Sequence, residues 1–151
     1  MRRTASPACY DLIRSFESYS ATVYFCPAGK PTIGYGHVIK IDDSIDPPIT
    51  RERALSLLID DLAPIEIYLS GVLPNIPQCQ FDALASFAFN NGLGALEGSA
   101  LLACVKSGDI HGATAEFGKW THAHVKGVKV DLPGLVRRRA AEAALFVSQT
   151  T

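Results

Sequence analysis

The 151-residue chain has no stretch approaching the ~18 consecutive apolar residues of a membrane span, and its opening segment, Met1 to Pro7, lacks the apolar core of a signal peptide. Stable membrane insertion and self-directed export are therefore not expected. Cysteine is scarce: Cys9, Cys26, Cys79 and Cys104 are too few for a disulfide scaffold. A reduced, cytoplasmic history is the simplest reading, with Cys9 and Cys104 at apolar helical positions as small core residues, and one disulfide left open. Charge of one sign is also missing, because the net charge is -1. Residues 100 to 151 carry 7 Lys and Arg against 4 Asp and Glu, which is far short of a nucleic-acid footprint.

No metal-ligand cluster stands out. His122 and His124 have no Cys, Asp or Glu grouping beside them. Asp42, Ser44 and Asp46 imitate the start of a calcium loop, but Pro47 stands where that loop needs glycine and Arg53 where it needs a bidentate glutamate. No cofactor is expected.

What is present is an ordinary globular composition, 48% hydrophobic and 19% charged, which suits one domain over residues 1–151. Ser6 and Pro7 open a helix of about residues 7 to 20, with Cys9, Leu12, Ile13 and Phe16 at helical spacing. Thr50 caps a long helix from Arg51 to Ser70, which Pro64 should kink and which should link two lobes. Shorter helices follow from Cys79 to Asn90, Ala100 to Lys106, Ile110 to Trp120, and Pro133 to about Val147. The expected architecture is α+β, with a small N-terminal sheet lobe, a larger helical lobe and a cleft between them.

The segment from Phe16 to His37 (FESYSATVYFCPAGKPTIGYGH) carries the chemistry. Thr22 to Phe25 is β-prone, Pro27 to Pro31 is turn chemistry with Gly29 suited to positive φ, and Thr32 to Val38 resumes as a strand. Glu17 falls in the last turn of the helix, where the dipole disfavours a carboxylate by roughly 0.3–1 kcal/mol. Any rise of its pKa toward ~6 therefore needs burial as well. Cys26 and Thr32 should face each other across the turn. Gly34 and Gly36 share a strand face with Thr32 and should leave an open lane for a ligand. His37 points the other way, with Ile33 and Tyr35, toward a supporting role.

Eight residues separate Glu17 from Cys26 and five separate Cys26 from Thr32. With TIGYGH at Thr32 to His37, this segment resembles the phage-type lysozymes, the endolysins of glycoside hydrolase family 24, in the branch with cysteine at the middle position. The resemblance continues through QFDALASFAFNNGLG (Gln80 to Gly94), GKW (Gly118 to Trp120) and PGLVRRRAAEAALF (Pro133 to Phe146). It implies a lysozyme-like fold and hydrolysis of the β-1,4 bond between N-acetylmuramic acid and N-acetylglucosamine in bacterial peptidoglycan. Glu17, Cys26 and Thr32 would be catalytic, with Glu17 as the acid. Asn90, otherwise a helix terminator, would join Gly34 and Gly36 in binding substrate.

Among Arg137, Arg138 and Arg139, otherwise a solvated face beside Glu142, the resemblance selects Arg138 as the partner of Glu17. Cys26 keeps three open roles: thiolate base, neutral water-positioning group, or nucleophile. Two other activities stay open, a lytic transglycosylase acting on the same bond and an inert wall-binding protein of lysozyme-like fold. A monomer is the default. Some members of the family carry an N-terminal signal-anchor, and its absence implies residence in the host cytoplasm until the membrane is permeabilised, or a piece of a longer chain.

Overall fold

The computed structural model describes residues 1–148. Helix α1 spans Pro7–Glu17. Ser6 precedes it in extended conformation, but its hydroxyl and amide donate to the Asp82 carboxylate, and its side chain accepts from no amide of the helix it opens. The helix stops three residues short of the expected end because Ser18 takes a φ of 57°, a left-handed value that a helix cannot continue. Glu17 is thus the final helical residue.

Strands β1 (Ser20–Phe25), β2 (Pro31–Gly34) and β3 (His37–Val38) form an antiparallel sheet in that order. The expected single strand from Thr32 to Val38 is broken. Gly34 and Gly36 have φ of 67° and 77°, and the chain reverses between them so that Ile33 pairs with His37 and Thr32 with Val38. Positive φ is cheap for glycine alone, which accounts for both residues in the backbone itself.

Helix α2 (Arg51–Val72) begins where Thr50 Oγ1 accepts from the Arg53 amide at 3.1 Å, and it continues through Pro64 to two residues past the expected end. It packs on β2 and β3 near one end and on helix α3 (Gln78–Asn91) elsewhere, so it joins the sheet to the helical lobe. Residues Gln80 to Ala88 of α3 are all buried, making it the central rod of the core. Around it lie α4 (Leu93–Glu97), α5 (Ala100–Ser107), α6 (Ile110–Phe117) and α7 (Pro133–Phe146).

Two features escaped the sequence reading: α4, and a hairpin of β4 (His122–Val125) and β5 (Val128–Asp131) that precedes α7. Lys126 and Gly127 turn the hairpin with φ of 52° and 79°, the signature of a two-residue primed turn. The architecture is otherwise the α+β, two-lobed fold anticipated. No helix among the described residues is long and apolar enough to cross a membrane.

His37 clamps the sheet lobe. It is 4% exposed, with Nδ1 2.8 Å from Asp61 Oδ2 on α2 and Nε2 2.8 Å from Asp43 Oδ2 in the loop after β3. Ionised carboxylates only accept, so both ring nitrogens donate and the ring is held as imidazolium. The hydrogen bond to Asp61 raises its pKa above the ordinary value, burial opposes that, and Asp43 adds to the rise.

A raised folded-state pKa contributes stability that is fully present below the unfolded value of ~6.5 and is lost as pH rises through the folded value. The difference in urea midpoint between the wild type and His37→Gln should therefore be largest below about pH 6 and shrink as pH rises. A difference independent of pH would contradict the clamp's being charged.

Candidate active site

Between the sheet lobe and the helical lobe lies a cleft of about 440 Å³. Glu17, Tyr24, Cys26, Thr32, Gly36 and Val38 line one side, and Phe89, Asn90, His122, Leu132 and Leu135 the other. A second depression of about 490 Å³ holds Asp82, but that carboxylate is already taken up by Ser6 and Gln78. Chemistry belongs to the cleft, where Glu17 and the Cys26 thiol meet open space.

The Glu17 carboxylate is fixed from two sides. Arg138 Nη1, from α7, donates to Oε2 at 2.6 Å, joining residues 121 positions apart. Oε1 lies against Gly36, so close that a Cβ on that residue would come within 2.6 Å of it. Gly36 is therefore an enforced vacancy for the carboxylate itself.

Gly34 does not face the cleft. A Cβ there would press on Ala54 of α2 at 3.2 Å, so this glycine permits strand-to-helix packing. The open lane expected beside Thr32 is thus filled by protein, with Glu17 over one glycine and α2 over the other.

Cys26 stands just beyond β1. Its amide donates to Lys30 O at 3.0 Å, and its carbonyl accepts from the Gly29 amide at 2.7 Å. Thr32 pairs across the sheet with Tyr24, not with Cys26, yet its hydroxyl reaches the sulfur. The same hydroxyl lies 2.9 Å from Lys30 O. A hydroxyl carries one proton, so it serves one of these acceptors at a time. The amide of Lys30 holds the Cys26 thiol below its ordinary pKa, partial desolvation opposes this, and the Ala28 amide, the Thr32 hydroxyl and the Lys30 charge reinforce it. Tyr24 was not singled out in the sequence, although its place opposite Thr32 in the sheet put it on the cleft face.

Behind the cleft, Arg138 and Arg139 are buried beside Glu142, which is 0% exposed. Arg138 meets Glu17 as the resemblance implied, whereas the solvated face read for the other arginines holds for Arg137 and not for Arg139. Glu142 Oε2 accepts from Ser86 Oγ at 2.6 Å and lies 3.4 Å from Arg138 Nε. Arg139 Nε approaches Glu142 Oε1 at 2.7 Å, although that contact lacks the angle of a good hydrogen bond. Arg139 Nη2 donates to Asn90 Oδ1 at 2.8 Å. No disulfide joins any of the four cysteines among the described residues, with Cys9 fully buried and Cys104 partly so.

Two outcomes are expected from this geometry. Gly36→Ala should displace Glu17 and destabilise the fold by about 1–3 kcal/mol through strain and overpacking, measurable as a fall in the denaturant midpoint; an unchanged midpoint would contradict the contact. The rate of iodoacetamide modification at Cys26 should show a pH midpoint below the ~8.5 of a free thiol. Thr32→Val should move that midpoint upward, and a midpoint unaffected by the hydroxyl would contradict its contact with sulfur.

Comparison with known proteins places this arrangement. The phage lysozyme family profile matches residues 14–142. An endolysin of Acyrthosiphon pisum secondary endosymbiont phage 1 is 41% identical over 138 residues, covering 91% of this chain and 93% of the relative. The endolysin of Bacillus phage PZA is 42% identical over 151 residues, and the match covers 96% of this chain but 55% of that longer protein. Among solved structures, the muramidase domain of SpmX from Asticaccaulis excentricus superposes with a TM-score of 0.87 at 36% identity, covering 98% of this chain and 100% of the domain. With most of its length matched by the profile and a near-full-length relative above two-fifths identity, the chain belongs to the phage lysozyme family.

Proposed function

We propose that this chain is an endolysin of the muramidase type, in the family 24 branch with cysteine in the triad. It hydrolyses the β-1,4 bond between N-acetylmuramic acid and N-acetylglucosamine in peptidoglycan. The observation that carries the reading is the convergence of Glu17, Cys26 and Thr32 on one cleft, in a chain whose relatives are endolysins and a muramidase domain. The wall is met from the periplasmic side once the host membrane has been permeabilised.

Glu17 is the general acid that protonates the leaving oxygen. Arg138 engages Oε2, so Oε1, the oxygen over Gly36, carries the proton. Glycosidases generally pair two carboxyl groups for this reaction, and here the second is replaced by a thiol. Cys26 and Thr32 act together to hold the attacking water, the hydroxyl fixing its direction and the partly ionised sulfur accepting its proton. Arg138 is a positioning residue for Glu17. His37 acts at one remove, by holding β3 and the turn that contains Gly36.

Three substitutions separate these roles. Glu17→Gln should abolish release of reducing ends from purified sacculi, because the amide has no proton to give. Cys26→Asp should retain lysis, since a carboxylate also accepts from water, and Cys26→Ala should lose about 10²–10⁴-fold in kcat, the usual contribution of a positioned base. Full activity of Glu17→Gln would overturn the assignment. An anhydro-sugar product would replace hydrolysis with a transglycosylase reaction, and sedimentation with sacculi without cleavage would leave only wall binding.

A further inference from the structure

Asn90 faces the cleft at the end of α3, and its amide has two chemically opposite ends. Which end meets a ligand is decided behind it. Arg139 Nη2 lies 2.8 Å from the Asn90 oxygen, and a guanidinium has donors only, with no acceptor to offer. The carboxamide therefore cannot flip without setting N–H against N–H. Arg139 cannot move aside either: it is 1% exposed, its Nε approaches Glu142 Oε1 at 2.7 Å, and its guanidinium sits 5.2 Å from the Phe87 ring centre. The oxygen is thereby committed inward. The Asn90 Nδ2 amine, which donates to no protein group among the described residues, is left as a fixed donor on the cleft side.

A fixed donor discriminates poorly among sugar hydroxyls, which either donate or accept. It does select against a group that only donates, such as the ammonium left when an N-acetyl group is removed. The neighbouring lining is apolar, with Phe89, Leu132 and Leu135 on the same side of the cleft. A fixed donor flanked by Phe89, Leu132 and Leu135, with His122 also on that side, matches an acetamido substituent, whose carbonyl oxygen accepts while its methyl group sheds water.

We infer that Arg139 is a positioning residue that locks the Asn90 amide so that its N–H₂ reads the N-acetyl carbonyl of the glycan, making the Arg139–Asn90 pair a specificity element for N-acetylated over de-N-acetylated wall. This rests on the muramidase reading. It assigns to the pair a choice between substrates beyond the cleavage itself.

Binding measured in the Glu17→Gln background isolates this claim from cleavage. The probes are N-acetylated wall oligosaccharides, the same oligosaccharides after chemical de-N-acetylation, and the latter re-acetylated. The parent should bind the acetylated form about tenfold more tightly, roughly one well-made hydrogen bond, and recover that affinity on re-acetylation. Adding Asn90→Asp replaces the donor by an acceptor, while the new carboxylate still accepts from Arg139. The thermal midpoint should hold or rise, and the preference for the acetylated form should vanish.

Arg139→Lys keeps a cation near Glu142 but withdraws the fork from Asn90. It should weaken affinity for the acetylated form only. Asn90→Asp that keeps the parent's preference, or a parent that binds both forms equally, would overturn the inference. Release of reducing ends from acetylated sacculi by the wild type tests the muramidase reading separately, so the two can fail independently.

Discussion

The ion pair between Arg138 and Glu17 is the contact on which the active cleft depends. It fixes the last residue of α1 to the last long helix, across 121 positions of chain. Arg138 also shares Glu142 with Arg139, and Glu142 is held by Ser86 on α3. Removing one member of such a buried group leaves a charge without its partner, at a cost of roughly 3–5 kcal/mol. The Glu17 carboxylate is therefore in place only when α1, α3 and α7 are packed together. The geometry of the cleft and the completed helical lobe are thus one property.

The sheet lobe supplies the other half of the site by shape more than by charge. Gly36 has to be small because Glu17 occupies the space where a side chain would stand. His37, next in sequence, turns away and locks the strand to α2 and the following loop through Asp61 and Asp43. Cys26 sits in a turn whose Lys30 and Ala28 amides lower the pKa of its thiol, so the backbone favours the charged form that an aspartate adopts unaided. This is a way of adapting a thiol to a carboxylate's place without adding a second charge near Glu17.

Local chemistry made much of this legible before any coordinates. The spacing from Glu17 through Cys26 to Thr32, the turn at Gly29 (φ 78°) and the cap at Thr50 depend on neighbours within a few residues. Helix starts were accordingly read to within one position.

What failed depended on distant partners. Glycines in a strand announce close approach, but only the fold shows that the approaching groups at Gly34 and Gly36 are Ala54 and Glu17. Arg139 read as a surface residue because arginine usually is one, and its burial follows from Asn90 and Phe87 of α3 meeting it across the core. The β4–β5 hairpin was missed because HAHV and VKVD are only four residues each, and Lys126–Gly127 is not one of the strong hairpin dipeptides.

The central claim is that Glu17 acts as acid while Cys26 and Thr32 hold a water on the opposite face of the sugar. Such a single displacement inverts the anomeric centre, whereas attack by the sulfur itself would proceed in two steps and retain it. The direct measurement is the anomeric configuration of the first product, followed by proton NMR during cleavage of peptidoglycan fragments before mutarotation sets in. The α-anomer released from the β-bond is the expected result. Initial formation of the β-anomer would show a covalent or substrate-assisted route and contradict the role given to the Cys26–Thr32 pair.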